Sequence, residues 1–136
     1  MKDINVLLLL TPRVQLACLD EGMSVRQALE TMRAHGYMAI PLVSTKGEYI
    51  GTVSEGDMLW CLMDNDGDLE ELEDINITEI VRKEYTPAVK VNTDSSVIID
   101  MTTKQNFIPV VDDRNILMGI VTRKRVIEEL TKDETE

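Results

Sequence analysis

Side chains that build metal centres and covalent catalytic sites are scarce in this sequence. Cys18 and Cys61 are the only cysteines among 136 residues, and His35 is the only histidine. The cysteines do not form a CxxC pair and the histidine has no ligand-type neighbour in the sequence, so we expect no metal site. Two isolated cysteines are typical of a reducing compartment, where such thiols usually act as small buried apolar groups. The sequence therefore predicts a cytoplasmic protein.

Long apolar runs and excess positive charge are also missing. The apolar run from Val6 to Leu10 is far shorter than the roughly 20 residues of a membrane helix. Pro12-Arg13 follows it without a small-residue cleavage pattern, so we expect no export signal. The net charge is −11, whereas nucleic-acid-binding proteins and anionic membrane surfaces call for basic patches. We expect neither nucleic acid nor a membrane as a partner.

The sequence contains an internal repeat, because residues 38–53 match residues 106–121 at a constant offset of 68 residues. The matched pairs are Ile40-Pro41 with Ile108-Pro109, Val43 with Val111, Gly51 with Gly119, and Val53 with Val121. Upstream, the segment from Ser24 resembles the segment from Ser96 at an offset of 72, so the second copy is four residues shorter. Four residues are about one helical turn, which predicts a shorter helix that keeps its apolar face.

Each copy predicts a helix–strand–strand–helix unit preceded by a short strand. In the first copy, Ser24 and Gln27 form a capping box, and Gly36 ends the helix. Ser54 is expected to cap the second helix of that copy, which runs to about Met63. The predicted strands are Val14 to Leu19, Met38 to Val43 and Tyr49 to Val53 in the first copy, and Ala88 to Val91, Phe107 to Val111 and Ile116 to Val121 in the second. The second copy's helices are expected from about Val97 and from Thr122 to Leu130.

The repeats divide the chain into a first repeat with its N-terminal segment (1–63), an acidic linker (64–80) and a shortened second repeat (81–136). Asp64 to Asp68 resembles the start of a calcium loop. An EF-hand requires Gly and Glu at its sixth and twelfth positions, where this chain has Leu69 and Ile75. A solvated acidic segment is the better interpretation.

These motifs resemble the CBS domain family over residues 11–131. The family repeat is β-α-β-β-α, and its final helix starts with Gly-h-h-(Ser/Thr)-x-x-Asp. The first copy has the full pattern from Gly51 to Asp57, whereas the second runs from Gly119 to Arg125 and lacks the carboxylate. The resemblance implies an α+β fold in which two CBS repeats pack as a pseudo-two-fold pair. It also implies clefts between the repeats that bind adenine nucleotides or cyclic dinucleotides, and association into homodimers.

Ser54 and Asp57 are the principal candidate ligand-binding residues. An [ST]-x-x-[DE] pattern by itself is a helix cap. A helix start is also a ready anion site, where unpaired N–H groups and a hydroxyl can hold phosphate. A carboxylate repels phosphate, so we expect Asp57 to accept hydrogen bonds from ribose hydroxyls.

An adenine ring needs an apolar slot with polar groups at its edge. The strand residues Met38 and Ala39 are candidates, with Pro41 shaping the strand, although plain core packing would explain them equally. Tyr37 either stacks on a base or lies at the strand edge.

A basic run supplies the remaining candidates. Thr122, Arg123 and Lys124 open the second motif helix, where cations are poorly placed against the helix dipole. The resemblance implies that Arg123 or Lys124 reaches a phosphate, that Arg82-Lys83 adds to the second cleft, and that Thr11 touches the base.

Three functions remain open from the sequence. The first is a regulatory module that senses an AMP-, ADP- or ATP-like nucleotide. The second is a cyclic dinucleotide receptor, because the stretches 36–41 and 122–124 resemble those of stand-alone bacterial CBS proteins of that kind. The third is a ligand-free dimerisation or interaction protein. We expect no covalent cofactor, no catalytic residues and no enzyme activity, because no triad, P-loop or GxGxxG motif is present. A regulatory module without an effector domain must act through a separate effector protein, which the sequence does not identify.

Overall fold

The computed structural model describes residues 5–82 and 84–132, so Lys83 lies outside the described residues. The elements are α1 (Val6–Leu9), β1 (Thr11–Pro12), β2 (Leu19–Asp20), α2 (Val25–His35), β3 (Ala39–Val43), β4 (Tyr49–Ser54), α3 (Glu55–Asp64), β5 (Val89–Lys90), α4 (Ser95–Met101), β6 (Phe107–Val111), β7 (Leu117–Thr122) and α5 (Arg123–Lys132). Short 3-10 helices occupy Arg13–Gln15, Glu71–Asp74 and Ile77–Glu79. The α+β class predicted from the sequence is confirmed.

Packing divides the chain into two units. The central unit comprises residues 17–85, and the terminal unit combines residues 1–16 with residues 86–136. The boundaries at residues 63 and 80 were predicted from the repeated sequence, whereas the boundaries after residues 16 and 85 are defined by packing contacts. The N-terminal segment therefore belongs by packing to the unit that contains the second repeat.

The central unit is built on a three-stranded sheet in the order β2-β3-β4. β2 runs parallel to β3, and β3 forms an antiparallel hairpin with β4. The apolar sequence of β3 is buried from Ile40 to Val43, as expected for a strand covered on both faces. The core of this unit combines side chains from the sheet and from both helices, namely Leu19, Val25, Ala28, Met32, Ile40, Leu42, Val53, Met58 and Cys61.

The acidic segment 64–80 is anchored to the central core. Leu72 and Ile77 are fully buried there, although acidic residues surround them. Two backbone hydrogen bonds fix the segment, from the Val25 N–H to the Ile75 carbonyl at 2.8 Å and from the Ile77 N–H to the Met23 carbonyl at 3.0 Å. This attachment brings the residues that follow position 80 back beside β4.

The terminal unit has a four-stranded sheet in the order β1-β7-β6-β5. Its β6–β7 hairpin repeats the register of β3–β4, including a bulge between Val110 and Val111 that matches the one between Leu42 and Val43. α1 buries Val6 and Leu9 in the core of this unit. No helix in residues 5–82 or 84–132 is long and apolar enough to cross a membrane.

The predicted shortening of the second repeat is confirmed, because α2 has eleven residues and α4 has seven. Gly36 ends α2 in the left-handed conformation with φ of 67°, as predicted. The strand predicted from Val14 to Leu19 was wrong over most of its length. A 3-10 turn occupies Arg13–Gln15, and Val14 is 90% exposed, so the β-propensity of this isolated valine is not supported by burial.

Gly119 is the point at which the N-terminal strand lies closest to β7. It pairs with Pro12, and a Cβ atom at this position would overlap the Thr11 carbonyl oxygen. The absence of a side chain therefore permits the β1–β7 pairing.

We predict that Gly119→Ala lowers the free energy of unfolding by about 1–3 kcal/mol, because the backbone of β1 must move away. Urea unfolding measures this change. Gly56→Ala in α3 is the matched control, since its new Cβ meets Ser54 Oγ at an ordinary 3.6 Å. Equal stability of both variants would contradict the predicted close approach.

Candidate functional site

The start of α3 is a complete capping box formed by Ser54 and Asp57. The backbone N–H of Asp57 donates to Ser54 Oγ at 3.2 Å, and the backbone N–H of Ser54 donates to Asp57 Oδ2 at 2.8 Å. The cap predicted from the sequence is therefore present. It turns the Asp57 carboxylate back toward the end of β4.

Asp57 is a buried carboxylate with an arginine beside it. Its side chain is only 7% exposed, and its Oδ1 accepts a hydrogen bond from Arg82 Nε at 2.7 Å. Oδ2 also accepts from the Ser54 hydroxyl at 3.0 Å. A buried carboxylate without such donors would be strongly destabilising, and these contacts give both of its oxygens hydrogen-bond partners.

Arg82 is held at this position from several sides. Its Nη2 lies 3.4 Å from Ser54 Oγ, and its guanidinium carbon lies 3.8 Å from the centre of the Tyr85 ring. Its backbone forms an isolated antiparallel bridge with Thr52 on β4. Sequence reasoning assigned Arg82 to the second cleft and missed its contact with Asp57. No local pattern indicates this pairing, because the two residues meet only through the anchored acidic segment.

A cavity of about 410 Å³ opens beside this pair, lined by Asp57, Trp60, Cys61, Asp64, Asn65, Ile75, Glu79, Ile80 and Arg82. Burial raises the pKa of the Cys61 thiol, and the nearby carboxylates Asp64 and Glu79 raise it further. A thiol in such surroundings is a poor nucleophile. The same carboxylates make the cavity unfavourable for phosphate, whereas a sugar or a cationic group is compatible with it.

The residues predicted to line or shape an adenine slot are Met38, Ala39 and Pro41. Ala39 pairs with Ser54 and Pro41 pairs with Thr52 in the β3–β4 ladder. Met38 is exposed, and its carbonyl accepts from the Glu55 N–H at 2.9 Å, so it lies at the start of α3. These three residues are therefore next to the capping box.

Tyr37 lies in a different place from the one expected of a base-stacking residue beside Asp57. Its ring stacks on His35 with centroids 5.5 Å apart. It lines a second cavity of about 510 Å³ between α2 and α3, whose other lining residues are Leu29, Met32, Arg33, Gly36, Glu55, Met58, Leu59 and Leu62.

The terminal unit carries the other four candidate residues. Thr122 Oγ1 accepts from the Arg125 N–H at 3.2 Å, so Thr122 caps α5 as Ser54 caps α3. The Arg123 N–H donates to the Asn106 carbonyl at 2.8 Å, which repeats the bond between Glu55 and Met38. Lys124 is exposed, and Thr11 pairs with Ile120 at the edge of the sheet.

The second motif differs from the first in its charges. Arg125 occupies the position that corresponds to Asp57, and its Nη2 lies 3.4 Å from the Leu8 carbonyl. Arg123 Nε donates to the Thr102 carbonyl at 2.6 Å, at the end of α4. The second helix start therefore presents no carboxylate, and the guanidinium groups of Arg123 and Arg125 both already have a backbone partner. Within residues 5–82 and 84–132, no three histidine, cysteine, aspartate or glutamate side chains are close enough to hold a metal ion.

Several solved structures share this fold. CbpB from Listeria monocytogenes, solved with c-di-AMP, is 20% identical at a TM-score of 0.88, covering 97% of this chain and 98% of that chain. A hypothetical conserved protein from Geobacillus kaustophilus is 23% identical at a TM-score of 0.87, covering 97% and 99%. CBSX2, solved with AMP, is 23% identical at a TM-score of 0.78, covering 96% and 98%. No curated protein matches the chain.

The family comparison agrees with the repeat. The CBS domain profile matches twice, at residues 3–64 and at residues 73–132. The two matches together span most of the chain and include both capped helix starts. CBS domains are regulatory domains. The chain therefore belongs to the CBS domain family, as a tandem pair of CBS repeats.

Proposed function

We propose that this chain is a regulatory module that binds an adenine nucleotide at the start of α3. The observation that carries the proposal is the buried Asp57 carboxylate, held in a fixed orientation by the capping box. A preoriented acceptor at the positive end of a helix dipole suits a ligand that combines hydroxyl groups with an anion.

Each part of such a ligand has a partner in the central unit. Asp57 accepts from the ribose, because a carboxylate attracts hydroxyl donors and repels phosphate. The phosphate belongs near the positive end of the α3 dipole, and the adenine belongs against Met38 and Ala39. Pro41 is buried and shapes the strand. Tyr37 would contact the ligand from the wall of the cavity between α2 and α3.

We also propose ligand contacts for the four candidate residues of the terminal unit. Lys124 is exposed and offers an ammonium group to phosphate. Arg123 would have to release the Thr102 carbonyl before its guanidinium could do the same. Thr11 offers backbone groups at the edge of the sheet, and Thr122 offers its side-chain hydroxyl.

Two adenine ligands fit this chemistry, and each is supported by a neighbour in fold. CBSX2 was solved with AMP, and CbpB was solved with c-di-AMP. AMP has a ribose with two vicinal hydroxyls, whereas each ribose of a 3′,5′-linked cyclic dinucleotide has one. We propose an AMP-, ADP- or ATP-like ligand first and the cyclic dinucleotide as the alternative.

Regulation without catalysis is part of the same proposal. The module changes the behaviour of a separate effector protein when the nucleotide binds. We place it in the cytoplasm, because two isolated cysteines fit a reducing compartment. No enzyme activity is proposed.

We predict that Asp57→Asn weakens binding of AMP by about 1–3 kcal/mol, the usual range for a hydrogen bond to a charged group. Titration calorimetry measures the affinity, and the fluorescence of Trp60, the sole tryptophan, reports on the adjoining cavity. Unfolding must be followed in parallel, because the substitution also removes the ion pair with Arg82 and should cost about 1 kcal/mol of stability.

Asp64→Asn is the matched control for this experiment. It makes the same change of charge in the same helix, and Asp64 lines the same cavity without contacting Ser54. Its affinity for AMP should equal or slightly exceed that of the wild type. Unchanged affinity in Asp57→Asn would remove Asp57 from the site.

We predict one tight nucleotide site per chain, because Arg125 replaces the ribose acceptor in the second motif. Calorimetry provides the stoichiometry directly. Two equivalent tight sites per chain would show that the carboxylate is dispensable.

We predict a homodimer that covers the exposed apolar side chains Leu59, Trp60 and Met63 of α3 and Ile127 of α5. Light scattering at micromolar concentration should give twice the mass of the chain, and Leu59→Arg should shift the mass toward one chain. Leu69→Arg, outside α3, is the control that should leave the dimer intact. A monomeric wild type would contradict the prediction.

A further inference from the structure

We propose that Arg82 determines which ribose Asp57 accepts, favouring one with a single available hydroxyl over one with a vicinal diol. This inference rests on the proposed nucleotide site, and within that site it favours the alternative ligand, the cyclic dinucleotide, over the AMP-like ligand that was proposed first. The selected class is a nucleotide whose ribose is esterified at one of its two secondary hydroxyls.

The proposal follows from counting the acceptor positions of Asp57. An ionised carboxylate offers about four lone-pair positions on its two oxygens. Oδ2 accepts two hydrogen bonds, from the Ser54 N–H at 2.8 Å and from the Ser54 hydroxyl at 3.0 Å. Oδ1 accepts one, from Arg82 Nε at 2.7 Å. Among the donors that the described residues supply, this leaves one position, on Oδ1.

The donors differ in how readily they can leave. The Ser54 N–H is part of the backbone at the helix cap and cannot move without unwinding α3. Arg82 is half exposed and can leave without disturbing the cap, whereas the Ser54 hydroxyl can only turn its hydrogen away from Oδ2 while its oxygen stays in the cap. Its release has a cost, because the guanidinium also stacks on Tyr85 at 3.8 Å and lies 3.4 Å from Ser54 Oγ. A vicinal diol that places both hydroxyls on Oδ1 therefore has to displace Arg82.

A ribose with one hydroxyl does not require this displacement. It donates once to Oδ1 while Arg82 stays in place, and the guanidinium remains near the anionic part of the ligand. In a 3′,5′-linked cyclic dinucleotide only the 2′ hydroxyl is available. In AMP both hydroxyls are available, and the second one finds its acceptor position filled by Arg82.

The test is the ratio of two affinities, for AMP and for c-di-AMP, in the wild type and in Arg82→Ala. Both ligands carry about two negative charges at neutral pH, so the loss of one positive charge largely cancels in the ratio. Removal of Arg82 opens a second acceptor position, and we expect the ratio to shift toward AMP by about three- to tenfold. Arg82→Met, which keeps an apolar contact with Tyr85 but donates no hydrogen bond, should shift it in the same direction.

Arg26→Ala is the matched control for charge. Arg26 lies in the same unit and pairs with Glu30 and Glu73, away from Asp57. Its removal should leave the ratio unchanged.

A second comparison isolates the ribose hydroxyls. The wild type should bind AMP and 3′-deoxyadenosine 5′-monophosphate within about twofold of each other, because one hydroxyl is enough to fill the available position. Arg82→Ala should prefer AMP by about three- to tenfold, since both hydroxyls then have acceptors. This comparison tests the role of Arg82 even if the chain binds AMP and does not bind c-di-AMP.

An unchanged ratio, or one that moves toward the cyclic dinucleotide, would overturn the role of Arg82 and leave the proposed function standing. If the wild type and all variants bind neither ligand, the proposed function itself is wrong and the selectivity fails with it. The two failures are therefore distinguishable in one set of titrations.

Discussion

A charged carboxylate can be buried only if donors surround it, and this constraint organises the central unit around Asp57. The donors come from two places: Ser54 at the end of β4, and Arg82 in the segment that follows the acidic stretch. Leu72 and Ile77 anchor that stretch in the core, and so they determine where Arg82 can be. The acidic segment is thus part of the site's architecture as well as a connection between repeats.

The terminal unit shows what the same scaffold looks like without that constraint. Its second motif has the same hairpin register, the same strand-to-helix hydrogen bond and the same hydroxyl cap. With Arg125 in place of the aspartate, no buried carboxylate requires partners, and Arg123 bonds to the end of α4. The duplicated sequence therefore keeps its structure in both copies and keeps the acceptor chemistry in only one.

Local signals were sufficient for most of the elements. The constant repeat offset identified both hairpins, and the capping pattern at Ser54 and the glycine at position 36 identified helix ends, because these features depend on residues close in sequence. Local signals failed at Val14, where tertiary burial decides the conformation. They also failed for Arg82, whose partner lies far along the chain and is reached only through packing. The prediction of Asp57 as a polar site residue needed only the motif, whereas its occupied acceptor positions needed the structure.

The central claim is that the ribose of a bound nucleotide donates hydrogen bonds to Asp57. The most direct measurement is the ¹³C NMR signal of the Asp57 carboxyl carbon during titration with AMP and with 2′,3′-dideoxyadenosine 5′-monophosphate, which has the same base and phosphate but no ribose hydroxyls. The Asp57 signal, assigned from its absence in Asp57→Asn, should shift strongly with AMP and little with the dideoxy analogue at equal saturation. Equal shifts with both ligands, or no shift with AMP at saturation, would contradict the account.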